Sequence, residues 1–126
     1  MAKNIRLLVV DDDKEDRQLI KDLLCDTQPG FDIDEANSSD SALSKLKEND
    51  YDCVLIDYII PRQSGLEVLK ETRALGKNAP FILVTGFGDN EFGEELVNRG
   101  AAGYITKDSM TLENLRNKIN AVIKLA

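Results

Sequence analysis

Histidine is missing from all 126 residues of this chain. Its absence removes the commonest general base, the commonest transition-metal ligand and any phosphohistidine formed on the chain itself. Cysteine is scarce. Cys25 and Cys53 fall in a predicted helix and a predicted strand with no CxxC pair, and are read as small apolar core residues rather than as a disulfide. No block of Lys or Arg occurs, and sixteen basic against twenty-three acidic residues leave a net charge of -7. The electrostatic footprint of direct nucleic-acid binding is therefore lacking. No apolar stretch approaches the roughly 18 residues that span a bilayer, and the opening MAKNIRLLVVDDD turns acidic before a signal-peptide core could form, which predicts a soluble, cytoplasmic protein with no membrane partner. Repeats, linkers and low-complexity segments are also absent, so the length predicts one domain over residues 1–126 that buries about two thirds of its unfolded surface.

What the chain does have is four short apolar runs, each ending on a chemically capable side chain. LLVV (7–10) runs into Asp11, Asp12 and Asp13, CVLI (53–56) into Asp57, FILV (81–84) into Thr85, and GYIT (103–106) into Lys107. Continuous apolar runs of this length fit parallel strands buried on both faces, which would deliver all of these residues to one carboxyl edge of a sheet. That edge is where open α/β sheets bind ligands. Acids, a hydroxyl and one amine gathered there suit a divalent metal, a phosphoryl group and a carboxylate nucleophile.

Between the runs the periodicity turns helical. A first helix is predicted over residues 14 to 27, with Leu19, Ile20, Leu23 and Leu24 inward and Pro29-Gly30 as its breaker. FDIDEA (31–36) alternates apolar and polar, as a strand at a less covered edge should. Ser38 or Ser39 caps a second helix that turns Ala42, Leu43 and Leu46 inward and ends at Asn49-Asp50. A third helix carries Leu66, Val68, Leu69 and Leu75 and stops at Gly76. A fourth runs from Asp89 or Asn90 to Gly100, and the stops at Gly76 and Gly100 both fit a glycine C-cap. A fifth starts near Thr111 with Leu112, Leu115, Ile119 and Val122 on one stripe, and no breaker follows before Ala126. Five alternating strands and helices with right-handed crossovers define an α/β doubly wound parallel sheet, and an edge position for the second strand favours the order 2-1-3-4-5. In that order the first and third strands are neighbours whose helices lie on opposite faces. Asp11, Asp12 and Asp57 then flank one crevice, where mutual repulsion raises at least one pKa unless a cation such as Mg2+ or Mn2+ relieves it.

The motifs VVDDD, IDYIIP with Gly65 four residues beyond the proline, VTG and YITKD resemble the signature of the response-regulator receiver domain of two-component signal transduction over nearly the whole chain. The CheY-like, flavodoxin-like order 2-1-3-4-5 is one that CheY itself exemplifies, so order and resemblance are not independent. The resemblance implies that Asp57 is the phosphoacceptor, taking a phosphoryl group from a phosphohistidine on a histidine kinase or histidine phosphotransfer protein. It implies that Asp11, Asp12, Asp57 and the main-chain carbonyl of Ile59 hold Mg2+ or Mn2+, and that Lys107 pairs with the phosphoryl oxygens. Thr85 would hydrogen-bond the phosphoryl and let Tyr104 turn inward, switching the face built from the fourth helix, fifth strand and fifth helix toward an output domain or protein. Such a module is a phosphoacceptor rather than an enzyme acting on a separate substrate.

Taken singly, these residues have ordinary roles: Asp11 to Asp13 as helix caps, Asp57 as a turn opener, Thr85 and Tyr104 as strand packing, Lys107 as a solvated charge. Their conjunction in receiver order carries the reading. Two departures bear on mechanism. Asp108 replaces the proline that usually follows the lysine, which predicts a trans bond and an altered loop. Ile59 and Phe87 replace polar side chains that help water reach the phosphoryl, which predicts slow self-dephosphorylation, and Gly86 and Gly88 predict a mobile loop around Phe87. The alternatives are a haloacid-dehalogenase-like phosphatase with Asp11 as nucleophile and Asp11-x-Asp13 as its DxD motif, a pseudo-receiver that binds partners unphosphorylated, and a flavin binder, which the acid-rich loop after the first strand disfavours.

Overall fold

The computed structural model describes residues 4–27, 30–86 and 90–124. The four apolar runs and FDIDEA form one parallel sheet of β1 (Ile5–Val10), β2 (Phe31–Ala36), β3 (Cys53–Asp57), β4 (Phe81–Thr85) and β5 (Gly103–Thr106) in the order β2-β1-β3-β4-β5. Between them run α1 (Lys14–Leu24), α2 (Ser39–Glu48), α3 (Gly65–Ala74) and α4 (Asn90–Asn98), while a 3-10 turn at Lys107–Ser109 precedes α5 (Leu112–Lys124). The doubly wound α/β fold and its strand order match the sequence reading.

Strand residues alternate between two cores, because successive side chains leave opposite faces of a sheet. Leu8, Val10, Val54, Ile56, Phe81 and Leu83 pack on one side with Leu46, Leu69 and Leu96, and Leu7, Val9, Cys53, Leu55, Ile82 and Val84 pack on the other with Ile20, Leu115 and Ile119. β3 and β4 are buried along their whole length, whereas β2, bonded on one side only, buries just Ala36. This is the edge position its polar alternation predicts.

Helix ends follow local chemistry. Asp13, Ser38 and Ser64 each accept a backbone N–H from the first turn of their helix. Gly76 and Gly100 adopt positive φ of 82° and 111° after α3 and α4, the left-handed conformation that tightens a helix end without a Cβ penalty. Several expected burials fail. Helix α1 ends at Leu24 rather than at residue 27, so Cys25 lies past its end and is exposed, not core; Cys53 is fully buried. Leu19 and Leu112 are 49% and 38% exposed, and Leu75, the C-cap of α3, also faces solvent. Pro29, Phe87, Gly88, Asp89 and the last two residues lie outside the described residues.

Candidate functional site

The β1–α1 loop presents three consecutive acids that take three different roles. Asp11 leaves the end of β1 with its N–H bonded to the Ala36 carbonyl at 3.1 Å, and its side chain is buried. Its Oδ1 accepts the Asp13 N–H at 2.9 Å. Asp12 is exposed, and Asp13 turns away to cap α1, its Oδ1 accepting the Glu15 N–H at 2.8 Å. The ordinary capping role therefore belongs to Asp13 alone. Arg17, one turn into α1, donates to the Asp11 carbonyl at 2.6 Å and to Glu35 Oε1 at 3.0 Å, and Lys21 shares that glutamate at 3.1 Å. The loop is thus tied both to its own helix and to the sheet edge.

Asp57 ends β3 and is buried beside Val84, its register partner on β4. Both carboxylate oxygens have partners: Oδ1 accepts the Ile59 N–H at 3.1 Å, and Oδ2 lies 3.1 Å from the Lys107 ammonium. The turn after Asp57 is narrow. An isolated antiparallel bridge joins Ile59 to Ser64, Arg62 takes a positive φ of 74°, and the Gly65 N–H donates to the Tyr58 carbonyl at 2.8 Å. A Cβ on Gly65 would stand 2.8 Å from the Asp57 carbonyl oxygen and 2.8 Å from Leu83 Cδ2, so the position tolerates only glycine. This explains in contact terms why a glycine follows IDYIIP at that spacing. The Ile59 side chain is 63% exposed at the mouth of the site.

Lys107 arrives from β5 on the 3-10 turn, with Asp108 in place of a proline. The ammonium reaches the acids regardless, lying 3.1 Å from Asp57 Oδ2, 3.0 Å from Asp16 Oδ2 and 4.0 Å from Asp11 Oδ2. Burial alone pulls its pKa down, but the hydrogen bonds to Asp16 and Asp57 outweigh that and hold it above the ordinary lysine range. Asp11 is also displaced upward, away from the ordinary acid range: burial pushes it up to about 7 against the pull of the Asp13 N–H, with the Asp57 charge adding to the push and Lys107 opposing it.

Asp11, Asp12 and Asp57 each offer a carboxylate oxygen, and these oxygens lie within 4.8 Å of one another. A hard, all-oxygen donor set of this kind suits an oxygen-loving divalent cation. Thr85 is buried at the end of β4, one residue beyond the partner of Asp57, and is in register with Thr106 of β5. Tyr104 is half-buried on β5; its ring occupies the place a Cβ on Gly93 of α4 would take, and the Lys118 ammonium stands 5.4 Å from its centroid. The sequence reading brought Asp11, Asp12, Asp57, Thr85 and Lys107 to one edge, and the fold does the same. It missed Asp16 and Arg17. Their positions in the first turn after the cap were legible, but not their reach.

The model of the response regulator receiver domain family matches residues 7–120. The chemotaxis protein CheY-3 of Vibrio cholerae is 34% identical over 127 residues, covering 98% of this chain and 95% of that protein. The transcriptional regulatory protein DltR of Streptococcus agalactiae is 38% identical over 103 residues, 82% of this chain, but the chain spans only 45% of DltR. Among solved structures, the Francisella response regulator 1452 receiver domain superposes with a TM-score of 0.86 at 30% identity, covering 96% of this chain and 98% of that one. The receiver domain from Methanospirillum hungatei gives 0.82 at 27% identity, over 97% and 95%. With matching motifs, strand order and acid pocket already in place, the chain belongs to the response regulator receiver domain family of two-component signalling.

Proposed function

We propose that Asp57 accepts a phosphoryl group from a phosphohistidine on a partner histidine kinase or histidine phosphotransfer protein. The observation that supports this most directly is a buried carboxylate at a strand end with an ammonium 3.1 Å away and two further acids close enough to share a cation with it. These 126 residues hold no histidine, which fits a donor imidazole supplied from outside them. An ionised Asp57 oxygen forms the new O–P bond as the N–P bond breaks, and the imidazole leaves with that electron pair, neutral once its other ring nitrogen carries a proton. No general base is needed, since the nucleophile has no proton to lose. Asp11, Asp12, Asp57 and the Ile59 carbonyl would hold Mg2+ or Mn2+, which supplies charge neutralisation at the phosphoryl oxygens. The Ile59 N–H fixes the Asp57 carboxylate plane, and Lys107 transfers its contact from the carboxylate to the incoming phosphoryl. Thr85 then hydrogen-bonds the phosphoryl, and Tyr104 responds by repacking on the face of α4, β5 and α5 that engages an output domain or separate output protein.

The phosphatase alternative loses support because Asp13, the second acid of its DxD, is spent on capping α1. A pseudo-receiver would not need acceptor, acid pair and lysine within bonding reach of one another. The test is incubation with acetyl phosphate and Mg2+ followed by mass spectrometry. We expect one added phosphoryl on Asp57, lost in Asp57→Asn; labelling that survives this substitution, or repeated turnover that depends on Asp11 alone, overturns the reading.

A further inference from the structure

We propose that Asp16 is a positioning residue for Lys107, holding the lysine ammonium over the pocket from α1 and giving it a second partner when it leaves Asp57. The proposal rests on the phosphoacceptor reading of Asp57. Its starting point is an exception in helix capping. In α3 the acid three residues after the cap, Glu67, reaches back to the N–H of its cap residue Ser64 at 3.4 Å. Asp16 stands at the same position of α1, three residues after Asp13, yet the Asp13 N–H is already taken by Asp11 Oδ1 at 2.9 Å. Asp16 is thereby released from capping, and its Oδ2 instead meets the Lys107 ammonium at 3.0 Å.

The contact spans 91 residues of sequence and joins α1 to the turn after β5. Beneath it lies a cavity of about 140 Å3 whose walls include Leu19, Ile20, Val84 and Met110. The two side chains are 42% and 36% exposed, so solvent screens the pair and its part is to place the ammonium rather than to add stability. The loop that carries Lys107 has Asp108 where a proline would stiffen it, so the lysine's position needs another restraint. Without Asp16, the ammonium has Asp57 and the more distant Asp11 as its acidic partners among the described residues, and it neutralises the nucleophile more completely. Asp16 shares the ammonium with the Asp57 carboxylate, at 3.0 Å and 3.1 Å respectively.

The test compares self-phosphorylation by acetyl phosphate at saturating Mg2+ in the full chain. Asp16→Asn should slow labelling of Asp57 about fivefold. Glu15→Gln removes a neighbouring acid from the same helix turn without touching Lys107, and should stay within about twofold. Asp16→Glu should restore most of the rate, and Mg2+ affinity measured by calorimetry should be unchanged in Asp16→Asn. In metal-free protein, the 15N signal of the Lys107 ammonium, assigned by its loss in Lys107→Arg, should shift in Asp16→Asn. Equal slowing by Asp16→Asn and Glu15→Gln, unaltered labelling in Asp16→Asn, a large change in Mg2+ affinity, or an unmoved Lys107 signal each overturns the proposal. A wild-type chain that takes no label at Asp57 instead sinks the acceptor reading itself.

Discussion

At the scale of single residues, the feature with the clearest consequence is the buried Asp11 carboxyl, pushed up to about 7. A group protonated more readily in the fold than in the unfolded chain contributes stability below its unfolded pKa, and that contribution is lost as pH rises through the folded value. Metal-free wild type should therefore lose stability relative to Asp11→Asn as pH climbs from about 4 to about 7.5, by roughly 1–3 kcal/mol. Urea unfolding of the two proteins across that range checks it, and parallel pH profiles refute it. Ile59 carries a second prediction, which rests on the proposed acceptor role of Asp57: its side chain is exposed, two residues past that carboxylate, where the receiver resemblance implies a polar group that guides water. Ile59→Asn should shorten the half-life of the phosphorylated protein several-fold, read by decay of the labelled species after donor removal. Equal half-lives would leave that side chain without a part in hydrolysis. The companion position, Phe87, lies outside the described residues.

Residues also mark where sequence reasoning reaches its limit. Asp57, Thr85 and Lys107 were legible because each closes an apolar run, and a parallel sheet sends every run's end to the same edge. Asp16 was not, because its partner stands 91 positions away and only the closed fold brings them together. Cys25 was misplaced by one boundary: a helix three residues shorter than expected puts it outside the apolar stripe.

Among the elements, α3 depends on its entry. Ser64 and Glu67 form a reciprocal capping box, with the Glu67 N–H donating to Ser64 Oγ at 3.2 Å. Ser64→Ala should cost about 1 kcal/mol in chemical denaturation. Gly65→Ala is a different kind of change, because the added carbon runs into the Asp57 carbonyl and Leu83 and forces the β3–α3 turn apart. It should therefore weaken Mg2+ binding as well as stability, whereas Ser64→Ala should affect stability alone. Calorimetric titration of both variants with Mg2+ separates the two effects. Strand identities and order followed from apolar runs and from the polar alternation of β2, yet Leu19, expected to face inward, was misjudged. Periodicity locates the centre of a helix stripe, but its width is set by how closely the neighbours pack, which no single helix encodes.

For the molecule as a whole, the acid pocket and the lysine tie β1, β3, β5 and α1 together through charge. A cation that binds only the folded pocket stabilises the fold by mass action, by about 2.7 kcal/mol at a hundred times its dissociation constant. The melting temperature should rise with Mg2+ near neutral pH, and the rise should shrink as pH falls below about 7 and Asp11 retains its proton. A rise independent of pH would mean the ion binds elsewhere.

Gly93 places a bare backbone in the middle of α4, where glycine costs roughly 1 kcal/mol relative to alanine, and the Tyr104 ring fills the vacancy. A single methyl group there strengthens the helix and at the same time evicts the aromatic ring, so local order and ring placement become competing demands on one carbon atom. Gly93→Ala would thus be a lever for displacing the Tyr104 ring without altering any residue of the acid pocket.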